Sequence, residues 1–166
     1  MKLTRNVAIG VHVPTVMPMA LPSKLDYVNF FQACESLGFD SLWFEDRLLH
    51  DAPLAEPLTM LAVAATVTDN VLLGSAVVAL NLRQAPLLAR QLTTLDHLSG
   101  GRLVAGLSIG GRPEEYAAYR MDTPRRVAAF NENLSTLRAL LAGQPVVHDG
   151  ELYRLEGALV RPASIP

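Results

Sequence analysis

Four short β-branched runs alternate with longer amphipathic segments over residues 1–143, and this alternation restricts the fold more than any other feature of the chain. The apolar periodicity predicts strands at 7–13, 41–45, 71–78 and 103–107, each followed by a helix. A strand, a helix and their turns occupy about 30 residues, the usual length of a parallel βα unit. Such units build either an open doubly wound sheet with helices on both faces or a (β/α)8 barrel with helices on one face.

Helix-capping residues locate the predicted helix ends. Ser23, followed three residues later by Asp26, predicts a capping box at the start of the first helix. Pro57 and Pro86 lie where the second and third helices are expected to begin, a position that tolerates proline. Gly143 is expected to end the fourth helix, because glycine readily adopts the left-handed conformation found at helix C-termini.

Beyond residue 143 the pattern changes to short strand-like pieces separated by Asp149–Gly150 and Glu156–Gly157, dipeptides that are typical of tight turns. These pieces cover residues 146–148, 152–155 and 159–161. We therefore divide the chain into four βα units over 1–143 and a strand-rich tail and connector over 144–166.

Composition argues against several functional classes. The formal net charge is −2 and only 6% of the residues are aromatic, which argues against a nucleic-acid-binding surface. The single cysteine, Cys34, rules out an internal disulfide and a cysteine-rich metal site. No apolar run approaches the ~18 residues that a membrane span needs. We therefore expect a cytoplasmic domain with no metal site and with neither nucleic acid nor a membrane as its partner.

Five stretches of the sequence together resemble one known family. They are GFDSLWFED at 38–46, PLTML at 57–61, LGSAVV at 73–78, QLTTLDHLSGGRL at 91–103 and GLSIGGRPEEY at 106–116. In these stretches, and over about residues 7–162, the chain resembles the bacterial luciferase-like flavin monooxygenases and their coenzyme F420-dependent relatives. The segment that runs from Leu95 to Arg102 and into the glycines after the fourth strand is the most specific part of the resemblance.

The resemblance implies an α/β fold in which the four βα units form half of a TIM-type (β/α)8 barrel, in a family whose chains are roughly twice this length. The chain is then expected to end just before the fifth strand, as a truncated product, the product of a half-gene or a natural half barrel. The resemblance also implies FMN or coenzyme F420 as the cofactor and a small molecule as the substrate. In this family reduced flavin with oxygen hydroxylates a substrate, or F420 exchanges hydride with it, and the protein supplies binding and electrostatics.

A half barrel leaves other interpretations open. Barrels usually bind phosphate with the loops after strands seven and eight, which the expected truncation removes. The second interpretation is therefore a catalytically inactive family member that binds flavin weakly or serves as an interaction module, and the third is an unrelated doubly wound domain. Two unpaired strand edges and an uncovered apolar face also predict that the chain forms a homodimer, is covered by its own tail or aggregates, and we take the homodimer as the first expectation.

The expected cofactor contacts lie at the C-terminal ends of the strands, where barrels carry their active sites. In F420-dependent relatives a non-proline cis peptide bond in the third strand backs the flat ring, and the resemblance places that bond between Ala76 and Val77, next to the small residue Ser75. The loops after the first, second and fourth strands add the expected contacts His12, Asp46, Ser108, Ile109 and Gly110.

Arg47 and His50 are the predicted catalytic residues. Relatives commonly carry Asp-His where this chain has Asp46-Arg47, and a guanidinium cannot replace imidazole as an acid or base because it stays protonated. Arg47 is instead expected to act as a fixed cation beside a reduced ring, unless it forms only a solvated pair with Asp46. His50 is the candidate to substitute for the missing imidazole, whose free pKa is about 6.5.

Four charged residues outside these loops are expected to be structural. At the opposite rim, Asp96 and Arg102 are expected to pair and close the turn into the fourth strand. Glu114 and Glu115 begin a short helix, where the helix dipole favours acidic side chains.

Overall fold

The computed structural model describes residues 7–121 and 123–165. In this part of the chain the strands are β1 (Gly10–Val13), β2 (Ser41–Phe44), β3 (Leu72–Ala79), β4 (Leu103–Ser108), β5 (Val146–Asp149) and β6 (Arg154–Ala158). The helices are α1 (Lys24–Ser36), α2 (Pro57–Val67), α3 (Ala85–Ser99), α4 (Pro113–Ala118) and α5 (Arg126–Leu141), with short 3-10 turns at Leu80–Leu82 and Thr123–Arg125.

The first four strands form one parallel sheet in the order β1-β2-β3-β4, and β5 pairs with β6 in an antiparallel hairpin. The predicted α/β architecture of consecutive strand–helix units is therefore confirmed. β1 is shorter than the predicted strand, since it begins at Gly10 rather than at Val7.

The capping residues act as their types predict. The Ser23 side chain accepts a hydrogen bond from the Asp26 amide at 3.3 Å, and the Ser23 amide donates to Asp26 Oδ2 at 3.0 Å, which completes the capping box. Pro57 is the first residue of α2, and the preceding residue, Glu56, accepts from the Thr59 amide at 2.7 Å. These local bonds fix where α1 and α2 begin.

The helices cover one face of the parallel sheet. Leu42 and Phe44 of β2 and Leu73 of β3 point to this face and are at most 1% exposed. Phe44 meets Phe31 of α1 edge to face, with ring centroids 5.7 Å apart. Burying a side chain of this size stabilises the fold by about 2 kcal/mol, so this face forms the core.

The opposite face of the sheet carries Trp43, whose ring lies across two glycines. A Cβ atom built on Gly10 or on Gly74 would collide with the Trp43 side chain, so both neighbouring strands need glycine at these positions. Leu72 and Val104, which share this face by their register with β2 and β3, are 45% and 37% exposed. The described residues therefore leave this apolar face uncovered, with β1 and β4 as edge strands.

The C-terminal hairpin is held to α5 by one carboxylate. Glu132 Oε1 accepts hydrogen bonds from the amides of Leu152 and Tyr153 at 2.9 and 3.2 Å, and from His148 Nε2 at 3.1 Å. Burial on its own raises the pKa of Glu132, but the bond with His148 and the backbone amides outweigh it and lower that pKa.

Two predictions for the tail are wrong. Glu156–Gly157 does not separate two strands but lies inside β6, where Gly157 has a φ of +80° and forms a bulge. Glycine is the residue that suits a positive φ both in a β-bulge and in a tight turn, so the sequence alone does not distinguish the two. Residues 159–161 form no strand. The chain then reaches the C-terminal end of α3, where the Ile165 amide donates to Asp96 Oδ2 at 2.6 Å.

The predicted Asp96–Arg102 pair is also wrong. Arg102 instead donates to four backbone carbonyl oxygens, those of Ala65, Thr68, Val71 and Ser99, at 2.7–3.2 Å. Carbonyl groups at helix C-termini lack intrahelical partners and carry partial negative charge, which attracts a guanidinium more effectively than the sequence suggests. Arg102 thereby joins the ends of α2 and α3 to the start of β3.

Candidate functional site

The C-terminal ends of β2, β3 and β4 open into one cleft of about 280 Å³. It is lined by Glu45, Asp46, Arg47, Ala76, Val77, Ala79, Ser108, Gly110, Gly111, Arg112 and Glu115. The fold thus brings together six of the predicted site residues, from three separate βα units. A groove of about 290 Å³ also lies between α2 and α3, but helix side chains line it and no strand end reaches it.

A bulge in β3 forms one wall of the cleft. The peptide bond between Ala76 and Val77 is cis, as the resemblance implied, and the pairing of β3 with β4 shifts between Ser75 and Val78. Val77 is 40% exposed at this point. A Cβ atom on Gly106 of β4 would collide with the carbonyl oxygen of Ser75, so β4 passes the bulge closely only because it has glycine there.

Ser75 lies behind this wall rather than in the cleft. It is 1% exposed, and its hydroxyl donates to the carbonyl oxygen of Gly106 at 2.9 Å. The Ser75 hydroxyl therefore joins β3 to β4, and the expectation that the backbone at Ser75 lies against a cofactor ring stays a prediction. A sequence pattern identifies a small residue here but not the direction of its hydroxyl.

Asp46 is engaged with Arg83 and not with Arg47. Its side chain is 0% exposed, and its oxygens accept from Arg83 Nη2 at 2.9 Å, Arg83 Nε at 3.2 Å and the Ala79 amide at 3.1 Å. Arg83 Nη2 also donates to Glu56 Oε1 at 3.1 Å. The suggested solvated Asp46–Arg47 pair is therefore wrong, since the carboxylate points inward to a partner on the next unit.

Arg83 is a residue that the sequence reasoning missed. Burial on its own lowers the pKa of this guanidinium, but the bonds and charges of Asp46 and Glu56 raise it. Its only signal in the sequence was its place in a loop that follows a predicted strand. A cation at such a position often pairs with an acid from a neighbouring strand end, but periodicity cannot say which.

Arg47 remains the partly exposed cation at the cleft. Its Nε lies 3.4 Å from Glu45 Oε2, a long contact, and its side chain is 34% exposed. Across the cleft Arg112 is 43% exposed and lies 3.4 Å from Glu114. These long contacts leave both guanidinium groups with donors that face solvent, so either is able to bind an acceptor in the cleft.

Glu115 is buried and holds the loop after β2. Its Oε1 accepts from the amides of Leu48 and Leu49 at 2.9 and 3.3 Å, and the residue is 4% exposed. The sequence analysis predicted only a favourable interaction of Glu115 with the helix dipole. It did not predict the bonds to Leu48 and Leu49, because these residues lie 67 and 66 positions away in the sequence. Glu115 therefore positions the segment that directly follows Arg47.

The two histidines lie outside the lining of this cleft. His12 is exposed on β1, in register with Trp43. His50 is exposed, and its Nδ1 accepts from the Ala52 amide at 3.0 Å. His50 borders a separate cleft of about 180 Å³, which meets the first one at Arg112. The described contacts therefore do not bring His50 to Arg47.

Comparison with known proteins supplies a family context for this cleft. Residues 8–166 match the family described as luciferase-like monooxygenase. The chain is 33% identical over 145 residues to an F420-dependent glucose-6-phosphate dehydrogenase of Beutenbergia cavernae. The matched region covers 81% of this chain and 42% of that protein. The chain spans less than half the length of the curated relatives it matches.

Solved structures share the fold. The monooxygenase RslO1 from Streptomyces bottropensis superposes with a TM-score of 0.86 at 26% identity, over 95% of this chain and 50% of that one. The oxygenating constituent of 3,6-diketocamphane monooxygenase from Pseudomonas putida, solved with FMN, gives a TM-score of 0.78 at 17% identity, over 93% and 44%. At the lower identity the likeness concerns the fold alone. Among the described residues, no helix is long and apolar enough to cross a bilayer.

Proposed function

Because this chain belongs to the luciferase-like monooxygenase family, we propose that it forms part of an oxidoreductase whose cleft holds the ring of FMN or coenzyme F420. One observation carries the proposal: the β3 bulge, the glycine loop after β4 and the exposed side of Arg47 open into the same cleft. The F420-dependent relative supports F420 as the cofactor, whereas FMN rests on the resemblance to the flavin monooxygenases and on a fold shared with an FMN-bound structure.

The lining of the cleft fits a flat ring. Ala76 and Val77 present small apolar groups, and Gly110 and Gly111 present bare backbone, with nothing within 4 Å of the place where a Gly111 Cβ would lie. At about 280 Å³ the cleft lies just below the 300–1,000 Å³ that small-molecule sites usually enclose, which favours occupation by part of a cofactor. We therefore assign the ring, and not the phosphate-bearing tail, to this cleft.

Arg47 supplies the charge in this proposal. A bound FMN or F420 provides the redox chemistry, either hydride transfer or the activation of oxygen. A guanidinium group carries a positive charge, and among the described residues that of Arg47 has one long contact, with Glu45. A cation held beside a reduced ring stabilises negative charge that develops on the ring. His50 stays a prediction, because it borders the neighbouring cleft.

Buried ion pairs and hydrogen bonds orient the cleft around Arg47. Asp46 fixes the start of the loop after β2 through Arg83, and Glu115 fixes the loop directly after Arg47 through two amides. We propose Asp46 as a positioning residue and not as a cofactor ligand, because its carboxylate has no exposed surface.

We also propose that the chain acts as a homodimer in the cytoplasm on a small-molecule substrate. The apolar face that bears Trp43, Leu72 and Val104 supports association, as do the edges of β1 and β4 in the described residues. Light scattering over a range of protein concentrations tests this part, and a monomer at every concentration contradicts it.

Titration of the purified chain with FMN and, separately, with F420 tests the function. Saturable quenching of the fluorescence of one cofactor is expected. Arg47→Ala should weaken that binding by roughly 10- to 150-fold, since a hydrogen bond to a charged group contributes about 1.5–3 kcal/mol. Arg154→Ala, a change at an exposed arginine of the hairpin, is the matched control. The absence of saturable binding by either cofactor would overturn the proposal and favour a family member that has lost the reaction.

A further inference from the structure

A chain of hydrogen bonds begins at the first residue of α3. The Ala85 amide donates to Tyr153 Oη at 3.0 Å, and Tyr153 Oη donates to Asn133 Oδ1 at 2.7 Å. Asn133 Nδ2 in turn donates to Asn81 Oδ1 at 3.4 Å. These contacts connect the start of α3, the C-terminal hairpin, α5 and the turn after β3.

The same series of hydrogen bonds continues to the loop that follows β4. Asn81 Nδ2 donates to Tyr116 Oη at 3.4 Å and to the Arg126 carbonyl oxygen at 2.8 Å. Tyr116 Oη then donates to the carbonyl oxygen of Ile109. The last acceptor therefore belongs to a residue that directly precedes Gly110 at the cleft.

In every hydrogen bond of this series the donor lies on the side of α3 and the acceptor on the side of the loop after β4. Each hydroxyl accepts from the preceding group and donates to the next, and both amides have their oxygens toward α3 and their nitrogens toward the loop. Bonds that run in one direction polarise one another, particularly in a protein interior. Asn81, Asn133 and Tyr116 are at most 6% exposed, and the starting amide belongs to a helix N-terminus, where the dipole is positive.

The end of the chain determines how the loop after β4 faces the cleft. Tyr116 Oη donates to the Ile109 carbonyl oxygen, and the next amide, that of Gly110, donates to Ser108 Oγ at 3.3 Å. Gly110 has a φ of +82°, and a Cβ built on it would lie 3.6 Å from Tyr116 Oη. The phenol therefore contacts this glycine wall twice, through its hydrogen bond to Ile109 and through packing beside Gly110.

We propose that Tyr153, on the hairpin, is a positioning residue that sets the conformation of residues 108–111 through Asn133, Asn81 and Tyr116. By fixing this wall it also sets the affinity of the cleft for its ring, and this second step rests on the proposed function. Tyr153 suits the role because Glu132 fixes its backbone amide at 3.2 Å. Burial and the nearby Glu132 carboxylate raise the pKa of the Tyr153 phenol, although the bond from Ala85 opposes them, so the hydroxyl stays protonated at neutral pH.

The test replaces Tyr153 by Phe, which removes one hydroxyl and leaves the ring. In the cofactor-free chain, the amide resonances of Ile109, Gly110 and Gly111 should shift although Tyr153 touches none of them. With cofactor present, the dissociation constant should rise roughly three- to tenfold, the effect of losing one neutral hydrogen bond. Tyr116→Phe, at the other end, should shift the same resonances and provides a second variant if Tyr153→Phe folds poorly.

Tyr119→Phe is the matched control, because Tyr119 is 51% exposed at the end of α4. It should leave both the resonances and the dissociation constant unchanged. A merely structural role for Tyr153 predicts a lower melting temperature with the three loop resonances unmoved, and that result overturns the proposal. If the loop resonances move but the wild-type chain binds neither cofactor, the coupling stands and the proposed function fails.

Discussion

Arg83 and Asp46 form a bidentate ion pair between two neighbouring βα units, with Nη2 2.9 Å from Oδ1 and Nε 3.2 Å from Oδ2. The carboxylate is 0% exposed and the arginine side chain 14% exposed. Removing one partner of such a pair leaves the other charge buried without compensation, which costs more than the pair itself contributes. The pair therefore makes the geometry of the cleft dependent on both residues at once.

Asp46→Asn should lower the free energy of unfolding by about 3 kcal/mol, because Arg83 then keeps a buried charge that only Glu56 neutralises. Urea unfolding at pH 7 measures the change. Glu156→Gln is the control, since its pair with Arg154 is 74% exposed and such pairs contribute at most about 1 kcal/mol. Equal losses in the two variants would show that the Asp46–Arg83 pair is not important for stability.

Arg102→Ala should destabilise the chain by at least about 3 kcal/mol, because several buried carbonyl oxygens lose their donor together. Thermal unfolding of this variant and of Arg138→Ala provides the measurement. Arg138 is exposed near the end of α5 and should change stability by less than about 0.5 kcal/mol. A melting temperature for Arg102→Ala close to that of the control contradicts the assigned role.

Glu132→Gln should reduce stability at neutral pH and have little effect in acid. The folded-state pKa of Glu132 lies below its ordinary value of 4.5. Its carboxylate therefore contributes stability above the unfolded-state pKa and loses it as the pH falls through the folded-state pKa. We expect a loss of about 1–2 kcal/mol at pH 7.

Urea unfolding of wild type and Glu132→Gln at pH 7 and at pH 3 measures this difference. Glu114→Gln is the control, since the side chain of Glu114 is 56% exposed. A Glu132→Gln effect that is the same at both pH values would show that the hydrogen bonds to the hairpin do not depend on its charge.

Gly106→Ala should destabilise the sheet by about 1–3 kcal/mol, because the new methyl group meets the Ser75 carbonyl and forces β4 away from the bulge. Calorimetric unfolding detects the loss. Gly111→Ala adds the same methyl group where no atom lies within 4 Å and should have almost no effect. If the two variants are equally stable, the close approach at the bulge does not constrain position 106.

Local patterns predicted most of the fold but few of the contacts at the cleft. The Ser23 capping box and the four strands depend on residues that are neighbours in the sequence, so periodicity and capping rules find them. Asp46 and Arg83 are 37 residues apart, and Glu115 and Leu48 are 67 apart. Such pairs depend on which strand ends the fold brings together, and no short pattern records that.

Two of the wrong pairings share one cause. The predicted Asp96–Arg102 pair and the alternative Asp46–Arg47 pair both join residues that are close in the sequence. In the structure both acids have partners on more distant segments, Arg83 and the Ile165 amide. A buried polar group needs a hydrogen-bond partner, and the fold supplies that partner from whichever segment packs against it.

Arg102 joins successive strand–helix units by hydrogen bonds at the rim of the sheet opposite the cleft. Its distance from the cleft has a consequence for how the cleft can change. Mutations that reshape the loops around Arg47, Gly110 and Arg112 leave its carbonyl partners untouched, so new specificities can be explored without loosening the scaffold. The stability that Arg102 provides should therefore be independent of changes in the residues that line the cleft.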